Sequence, residues 1–236
     1  MWSPDELVRL AADGLRALDA DLGNEQAVHG LDALDEVDLH PILARVFAEA
    51  GFGVLREVPY PGLTPLARLR RERERCDLVL TPRPAQVLRD PVVETIERER
   101  EAGTLFSGLG GPEPAGIDPS DAYWLEVKVV AQHAYVNAIP GPNASFAADL
   151  TRCAGDLAKL TKEPRLLHAG LLLLLFADTE ETATHDAGVF LERCLDRGIE
   201  FSSPASASVP IRERILNRVV LVVLTPIRPV REAFSP

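Results

Sequence analysis

The stretch DAYWLEVKVV, residues 121–130, predicts the central strand of the fold. Aromatic and β-branched residues dominate it, and Gly- and Pro-rich sequence precedes it, as is typical of a strand. Because side chains on a strand alternate, Glu126 and Lys128 face one side, while Leu125, Val127 and Val129 face the other. A carboxylate and an ammonium inside an apolar strand are costly to desolvate unless they have partners. We therefore expect a further polar group to face them.

The best partner in the chain is Asp77, which lies within the short apolar segment RCDLVL, residues 75–80. Asp77 followed by Glu126-Val127-Lys128 resembles the signature of the PD-(D/E)XK nuclease superfamily, whose members share the restriction-endonuclease-like fold. The resemblance covers residues 33 to 177, in the order helix, strand, Asp-bearing strand, E-x-K strand, helix and strand. The tripeptide alone is a weak signal, but its place inside a predicted strand strengthens it. Lysine is also scarce, since Lys128, Lys159 and Lys162 are the only lysines of the chain.

The resemblance implies an α/β fold with a mixed central sheet flanked by helices. It also implies metal-dependent hydrolysis of phosphodiester bonds in nucleic acid, with DNA as the expected substrate. Asp77, Glu126 and the carbonyl of Val127 are the implied ligands of Mg²⁺ or Mn²⁺, and hard oxygen donors suit these ions. Lys128 is expected to stabilise negative charge that develops at the phosphate or the attacking water. The alternative is a catalytically silent relative that acts as an interaction or assembly subunit.

A further catalytic carboxylate is expected from the helix predicted over residues 34–50, because the first helix often carries one in the resembled family. Glu36 fits best, since it shares a helix face with Leu43 and Phe47. The plain alternative is an acid favoured in the first turn by the helix dipole. Glu57, in the strand predicted over residues 52–60, is a second candidate, although nearby prolines place it at a sheet edge. His40 precedes a proline and is predicted to be a capping or surface residue.

An arginine-rich segment, residues 66–75, lies just before Asp77. Its forked guanidinium groups are expected to hold phosphates at the mouth of the site. The alternative is a solvated, salt-bridged loop, which is what most charge runs are. The candidate nucleic-acid contacts in this segment are Arg70, Arg71, Arg73 and Arg75.

Residues 1–30 are predicted to form a helical appendage, and residues 31–236 a nuclease-like domain with an insertion over about 83–120. That insertion contains a charged helix at 91–101 and a Gly- and Pro-rich stretch at 103–120. Outside the segments already named, the hydrophobic periodicity predicts several elements. The helices are at 3–22, 145–161 and 184–198; the strands are at 166–177 and 217–225; a turn region is at 131–143; and a tail begins at 226.

The net charge of −11 is the main observation against a protein that coats nucleic acid, because phosphate binding needs a basic surface. We therefore expect a second copy of the chain, or a more basic protein, to supply part of the binding surface. The three cysteines are widely spaced and odd in number, which favours the reducing cytoplasm. No signal peptide is predicted, and the apolar run 169–177 is too short to cross a bilayer, so no membrane association is expected.

Overall fold

A six-stranded mixed sheet forms the centre of the protein, with helices on both of its faces. The computed structural model describes residues 2–27, 29–61, 74–90, 116–136, 139–212 and 216–228. The sheet order is β1-β2-β3-β6-β8-β7, and only β3 and β6 run parallel among these pairs. The predicted α/β class with a mixed, helix-flanked sheet is confirmed.

The strands of this sheet are β1 (Gly53–Pro59), β2 (Arg75–Thr81), β3 (Tyr123–Ala131), β6 (His168–Ala177), β7 (Ala205–Pro210) and β8 (Val219–Pro226). A separate antiparallel hairpin contains β4 (His133–Val136) and β5 (Ile139–Pro142). The α-helices within the described ranges are α1 (Pro4–Asn24), α2 (Glu36–Glu49), α3 (Phe146–Leu160) and α4 (Glu180–Asp196). Short 3₁₀ turns lie at Leu31–Ala33 and Pro119–Asp121.

The parallel pair β3 and β6 lies in the middle of the sheet, and α3 lies in the connection between its strands. Parallel neighbours need such a crossover, because a tight turn can join only antiparallel strands. β6 is buried along almost its whole length, as predicted for a strand covered by helices on both faces. On its other side β3 pairs with β2, so the segment 82–122 connects two adjacent antiparallel strands.

Each face of the sheet has its own apolar core. On one face α1 and α2 pack against side chains that include Leu125 and Val127. On the other face α3 and α4 pack against side chains that include Trp124 and Val130. The alternation predicted for β3 is thus confirmed, and Glu126 and Lys128 belong by parity to the face covered by α3 and α4.

The helices α1, α2 and α3 begin and end within two residues of their predicted bounds. Ser3 accepts a hydrogen bond from the backbone N–H of Glu6, and Pro4 is the first residue of α1. Gly51 follows α2 with φ of +94°, a conformation that glycine adopts at little cost. α4 begins four residues earlier than predicted, because Thr179 caps it by accepting from the N–H of Thr182.

Two predictions about irregular segments were wrong. Residues 131–143 contain the hairpin β4–β5 instead of turns alone. The predicted tail does not begin at 226, because Pro226 belongs to β8, and Ile227 is buried and bridges to Phe201. The rest of the predicted tail, residues 229–236, lies outside the described residues. β7 was not anticipated, since its small residues carry a weak strand signal; it is held by β8 on one side and packs against α1.

Several predictions fall outside the described residues. They are the charged helix at 91–101, most of the Gly- and Pro-rich stretch at 103–120, and Arg70, Arg71 and Arg73. The division into an appendage at 1–30 and a domain at 31–236 stays a prediction. Within the described ranges, no helix is both long and apolar enough to cross a membrane.

Candidate active site

The site lies where β2 and β3 separate. Their antiparallel ladder ends at the pair Leu78 and Leu125, one residue short of Asp77 opposite Glu126. In place of the next backbone contact, Asp77 Oδ2 accepts a hydrogen bond of 2.8 Å from the N–H of Val127. A side-chain oxygen thus satisfies a strand amide that would otherwise be buried without a partner. This bond fixes the Asp77 carboxylate in the gap between the strands.

The ammonium of Lys128 joins the carboxylates around this gap. Lys128 Nζ donates to Glu36 Oε1 at 2.7 Å and to the carbonyl of Val127 at 2.9 Å. The same nitrogen lies 3.6 Å from Asp77 Oδ2 and 3.9 Å from Glu126 Oε2. The structure therefore brings together all four side chains that the sequence nominated as catalytic. Their catalytic role stays a prediction.

The helix α2 supplies one of these carboxylates from its first residue. Asp35 caps α2 and exchanges hydrogen bonds with Asp38 in a capping box, which fixes the first turn. Glu36 follows the cap directly, and its side chain reaches across to Lys128. Because β2 and β3 separate here, Glu36 of α2, which covers one face of the sheet, can contact Lys128, whose side chain belongs by parity to the opposite face.

His40 lies beside Glu36 and Asp77 in the site. It lies one helical turn after Glu36 and is only 4 % exposed, so the prediction of a capping or surface residue was wrong. Its Nε2 lies 3.9 Å from Asp77 Oδ2. The i, i+4 spacing from Glu36 and the shared face with Leu43 and Phe47 were the signals of an inward position.

Pro41 had favoured the surface interpretation, but α2 continues through it. Proline cannot donate the hydrogen bond that position 41 would make to the carbonyl of Val37. Val37 is 69 % exposed, so water can reach its surroundings. The helix therefore tolerates the proline without turning His40 outward.

Tyr60 was not predicted as a site residue. Its hydroxyl donates a hydrogen bond to Glu126 Oε1, and its ring stacks on Trp124 with centroids 5.9 Å apart. Burial raises the pKa of Tyr60 far above its ordinary value, so the phenol stays a donor. A tyrosine near the end of a predicted strand was a usable signal, because a buried phenol normally needs a polar partner.

The charges of the site depend on burial. Burial, followed by the negative charge of Asp77, raises the pKa of Glu126 to about 8. Burial alone would lower the pKa of Lys128, but Asp77, Glu36 and Glu126 outweigh it and hold that pKa above its ordinary value. Lys128 is therefore a cation at neutral pH. Glu126 is largely protonated at neutral pH unless a further cation binds beside it.

This raised pKa predicts a pH-dependent stability of the metal-free protein. The folded state keeps a proton on Glu126 that the unfolded chain loses near pH 4.5. The stability contributed by protonated Glu126 is therefore complete below that pH and is lost as pH rises through about 8. The loss amounts to at most about 5 kcal/mol. Urea unfolding in EDTA at pH 5.5, 7 and 8.5 should show the decline.

Glu126→Gln should remove most of this pH dependence, because the amide does not titrate. Glu192→Gln is the matched control, since Glu192 is exposed on α4 and should leave the profile unchanged. A wild-type profile that is flat, or that rises between pH 5.5 and 8.5, would contradict the buried neutral carboxyl.

The two remaining candidates are placed differently. Glu57 is exposed on the edge strand β1, with φ of +53°, while Glu36 contacts Lys128. Arg75 is the one predicted nucleic-acid contact among the described residues, and its guanidinium donates to the backbone carbonyl of Glu57 at 2.7 Å. Glu57 therefore contacts Arg75 through its backbone, whereas Glu36 is the carboxylate that contacts Lys128. Glu36 as the further carboxylate of the site stays a prediction.

The residues present fit a divalent cation. Glu36, His40 and Asp77 each offer one ligand atom, and these atoms lie within 4.8 Å of one another. Within the described part of the chain, His40 Nε2 is buried and has no hydrogen-bond partner. A buried nitrogen without a partner and clustered carboxylates form a donor set that a cation would satisfy. Asp77 is common to this set and to the predicted set with Glu126 and Val127.

In comparisons with known proteins, no protein-family model, curated protein or solved structure matches the chain.

Proposed function

We propose that this protein is a divalent-metal-dependent nuclease that hydrolyses phosphodiester bonds in DNA. The observation that carries the proposal is the position of the Lys128 ammonium, at most 3.9 Å from carboxylate oxygens of Glu36, Asp77 and Glu126. The order of elements also supports a restriction-endonuclease-like core. The helix α2 is followed by β1, the Asp-bearing β2, the E-x-K strand β3, the helix α3 and β6.

The cation would be held by Asp77 and Glu126 together with Glu36 or His40, and it would supply charge neutralisation at the phosphate and an activated water. Lys128 adds a fixed positive charge beside the same carboxylates, where it can stabilise negative charge on the reacting phosphate. Tyr60 fixes one oxygen of Glu126, and the N–H of Val127 fixes Asp77. These contacts orient the carboxylates before substrate binds, and such preorganisation is a main source of catalytic power.

The net charge of −11 favours a second candidate, a silent member of the fold that acts as an assembly subunit. An acidic surface repels DNA on both sides of the site, with screening over about 8 Å at physiological salt.

A second copy of this chain or a basic partner would offset that repulsion. Submicromolar DNA binding by a demonstrated monomer near physiological salt would show that no partner is needed.

Cleavage assays separate the two candidates. Purified protein should convert supercoiled plasmid and labelled oligonucleotides to products in Mn²⁺ or Mg²⁺, and EDTA should stop the reaction. The silent candidate predicts no cleavage with either ion, including in the presence of a bound partner. Cleavage that persists in EDTA would contradict the metal-dependent mechanism.

A further inference from the structure

We propose that His40 is a ligand of the bound cation and that it makes the site selective for a divalent transition metal, Mn²⁺, over Mg²⁺. The inference rests on the metal site of the proposed function and specifies its ion. The imidazole of His40 would supply the one nitrogen donor in a set otherwise composed of oxygens.

The burial of His40 is the first observation. Its side chain is only 5 % exposed, and the described residues provide no hydrogen-bond partner for Nε2. Leaving a buried polar atom unpaired is unfavourable, so such atoms are rare without a ligand or a function. Asp77 Oδ2 is 3.9 Å from Nε2, which is too long for a hydrogen bond.

The direction of His40 is the second observation. One of its ring nitrogens lies with one oxygen each of Glu36 and Asp77 in a group no wider than 4.8 Å, and its Nε2 is 3.9 Å from Asp77 Oδ2. Lys128 Nζ contacts both of those carboxylates and donates to Glu36 and to the carbonyl of Val127, and neither of these hydrogen bonds reaches His40. A cation can accept lone pairs from all three side chains at once.

The donor chemistry then selects the ion. Mg²⁺ prefers oxygen ligands and keeps several waters, whereas imidazole favours transition metals. The group of three combines one imidazole with two carboxylates and contains no thiolate. One imidazole among carboxylates suits Mn²⁺, which accepts oxygen donors readily and binds nitrogen better than Mg²⁺ does.

Pulsed electron paramagnetic resonance of bound Mn²⁺ tests the ligand directly, without an activity assay. The wild type loaded with one equivalent of Mn²⁺ should show modulation from a directly bound ¹⁴N nucleus. Protein labelled with ¹⁵N-histidine should show the ¹⁵N pattern instead, which needs no substitution and so no assumption about folding. Bound Mn²⁺ without nitrogen modulation would overturn the proposal.

Substitutions assign the signal to His40. His40→Gln should lose the modulation and weaken Mn²⁺ binding by at least about tenfold, while Mg²⁺ binding changes much less. His185→Gln is the matched control, because His185 is exposed on α4, and it should keep the wild-type signal. Equal losses for Mn²⁺ and Mg²⁺ in a folded His40→Gln protein would contradict the selectivity. Nitrogen ligation in a protein that does not cleave DNA would support this site and count against the proposed nuclease.

Discussion

Replacing Lys128 by methionine is expected to lower the rate of DNA cleavage by about 10²–10³-fold while cation binding persists or becomes tighter. Removing a preorganised group that stabilises transition-state charge typically costs this much in rate. Cation binding should not weaken, because Glu36 loses its 2.7 Å ammonium partner and becomes free to bind the ion. Methionine keeps an unbranched apolar side chain, so packing along β3 changes little. Initial cleavage rates and Mn²⁺ calorimetry measure the two effects separately.

Lys162→Met is the matched control for this substitution. Lys162 lies just beyond α3 and is exposed, so the variant should cleave and bind the cation like the wild type. A Lys128→Met protein that loses cation binding along with cleavage would show that the ammonium supports the fold of the site, and the catalytic role assigned to it would then be wrong. Circular dichroism of both variants checks that they are folded.

Asp77→Asn is expected to weaken cation binding by at least about 100-fold and to abolish measurable cleavage. Asp77 belongs to both candidate ligand sets, and an amide lacks the charge that a divalent cation requires. The asparagine oxygen can still accept the hydrogen bond from the N–H of Val127, so the strands should remain in place. Mn²⁺ calorimetry measures the loss of cation affinity, and thermal unfolding of the metal-free protein checks that the fold is kept.

Asp77→Ala separates the structural role from the metal-binding role. It should lose cation binding as Asp77→Asn does, but it should also lower stability by about 1–3 kcal/mol, because the amide of Val127 is left buried and unpaired. The control is Asp196→Asn, at an exposed position at the end of α4. Equal cation affinities for wild type and Asp77→Asn would show that this carboxylate is not a ligand.

The central strand and its neighbours were predictable because their side chains follow strict periods. The alternation in residues 123–130 and the continuous apolar run of β6 determined which faces are buried, and the structure agrees. The convergence of Asp77, Glu126 and Lys128 followed from the same reasoning, since charged side chains embedded in neighbouring apolar strands need polar partners. The hairpin β4–β5 was missed because its second strand is Ile-Pro-Gly-Pro, a composition that signals a turn.

His40 and Tyr60 were missed because their roles depend on tertiary contacts. The proline after His40 suggested a surface position, but helix register and the approach of Asp77 decide its burial. Tyr60 contacts a residue 66 positions away, and no local pattern specifies that distance. The separation of β2 and β3 was not predictable from local sequence either. It arises because the side chain of Asp77, instead of a backbone carbonyl of β2, accepts the hydrogen bond from the N–H of Val127.

The most direct test of the proposed active site is a parallel cleavage assay of wild type, Lys128→Met and Lys162→Met. All three proteins should be purified by one procedure and assayed on the same end-labelled DNA in Mn²⁺, alone and with any partner that co-purifies. We expect wild type and Lys162→Met to cleave at equal rates and Lys128→Met to be slower by about 10²–10³-fold. Equal cleavage by all three would identify a contaminating nuclease or a different site, and either result would contradict a catalytic centre at Lys128.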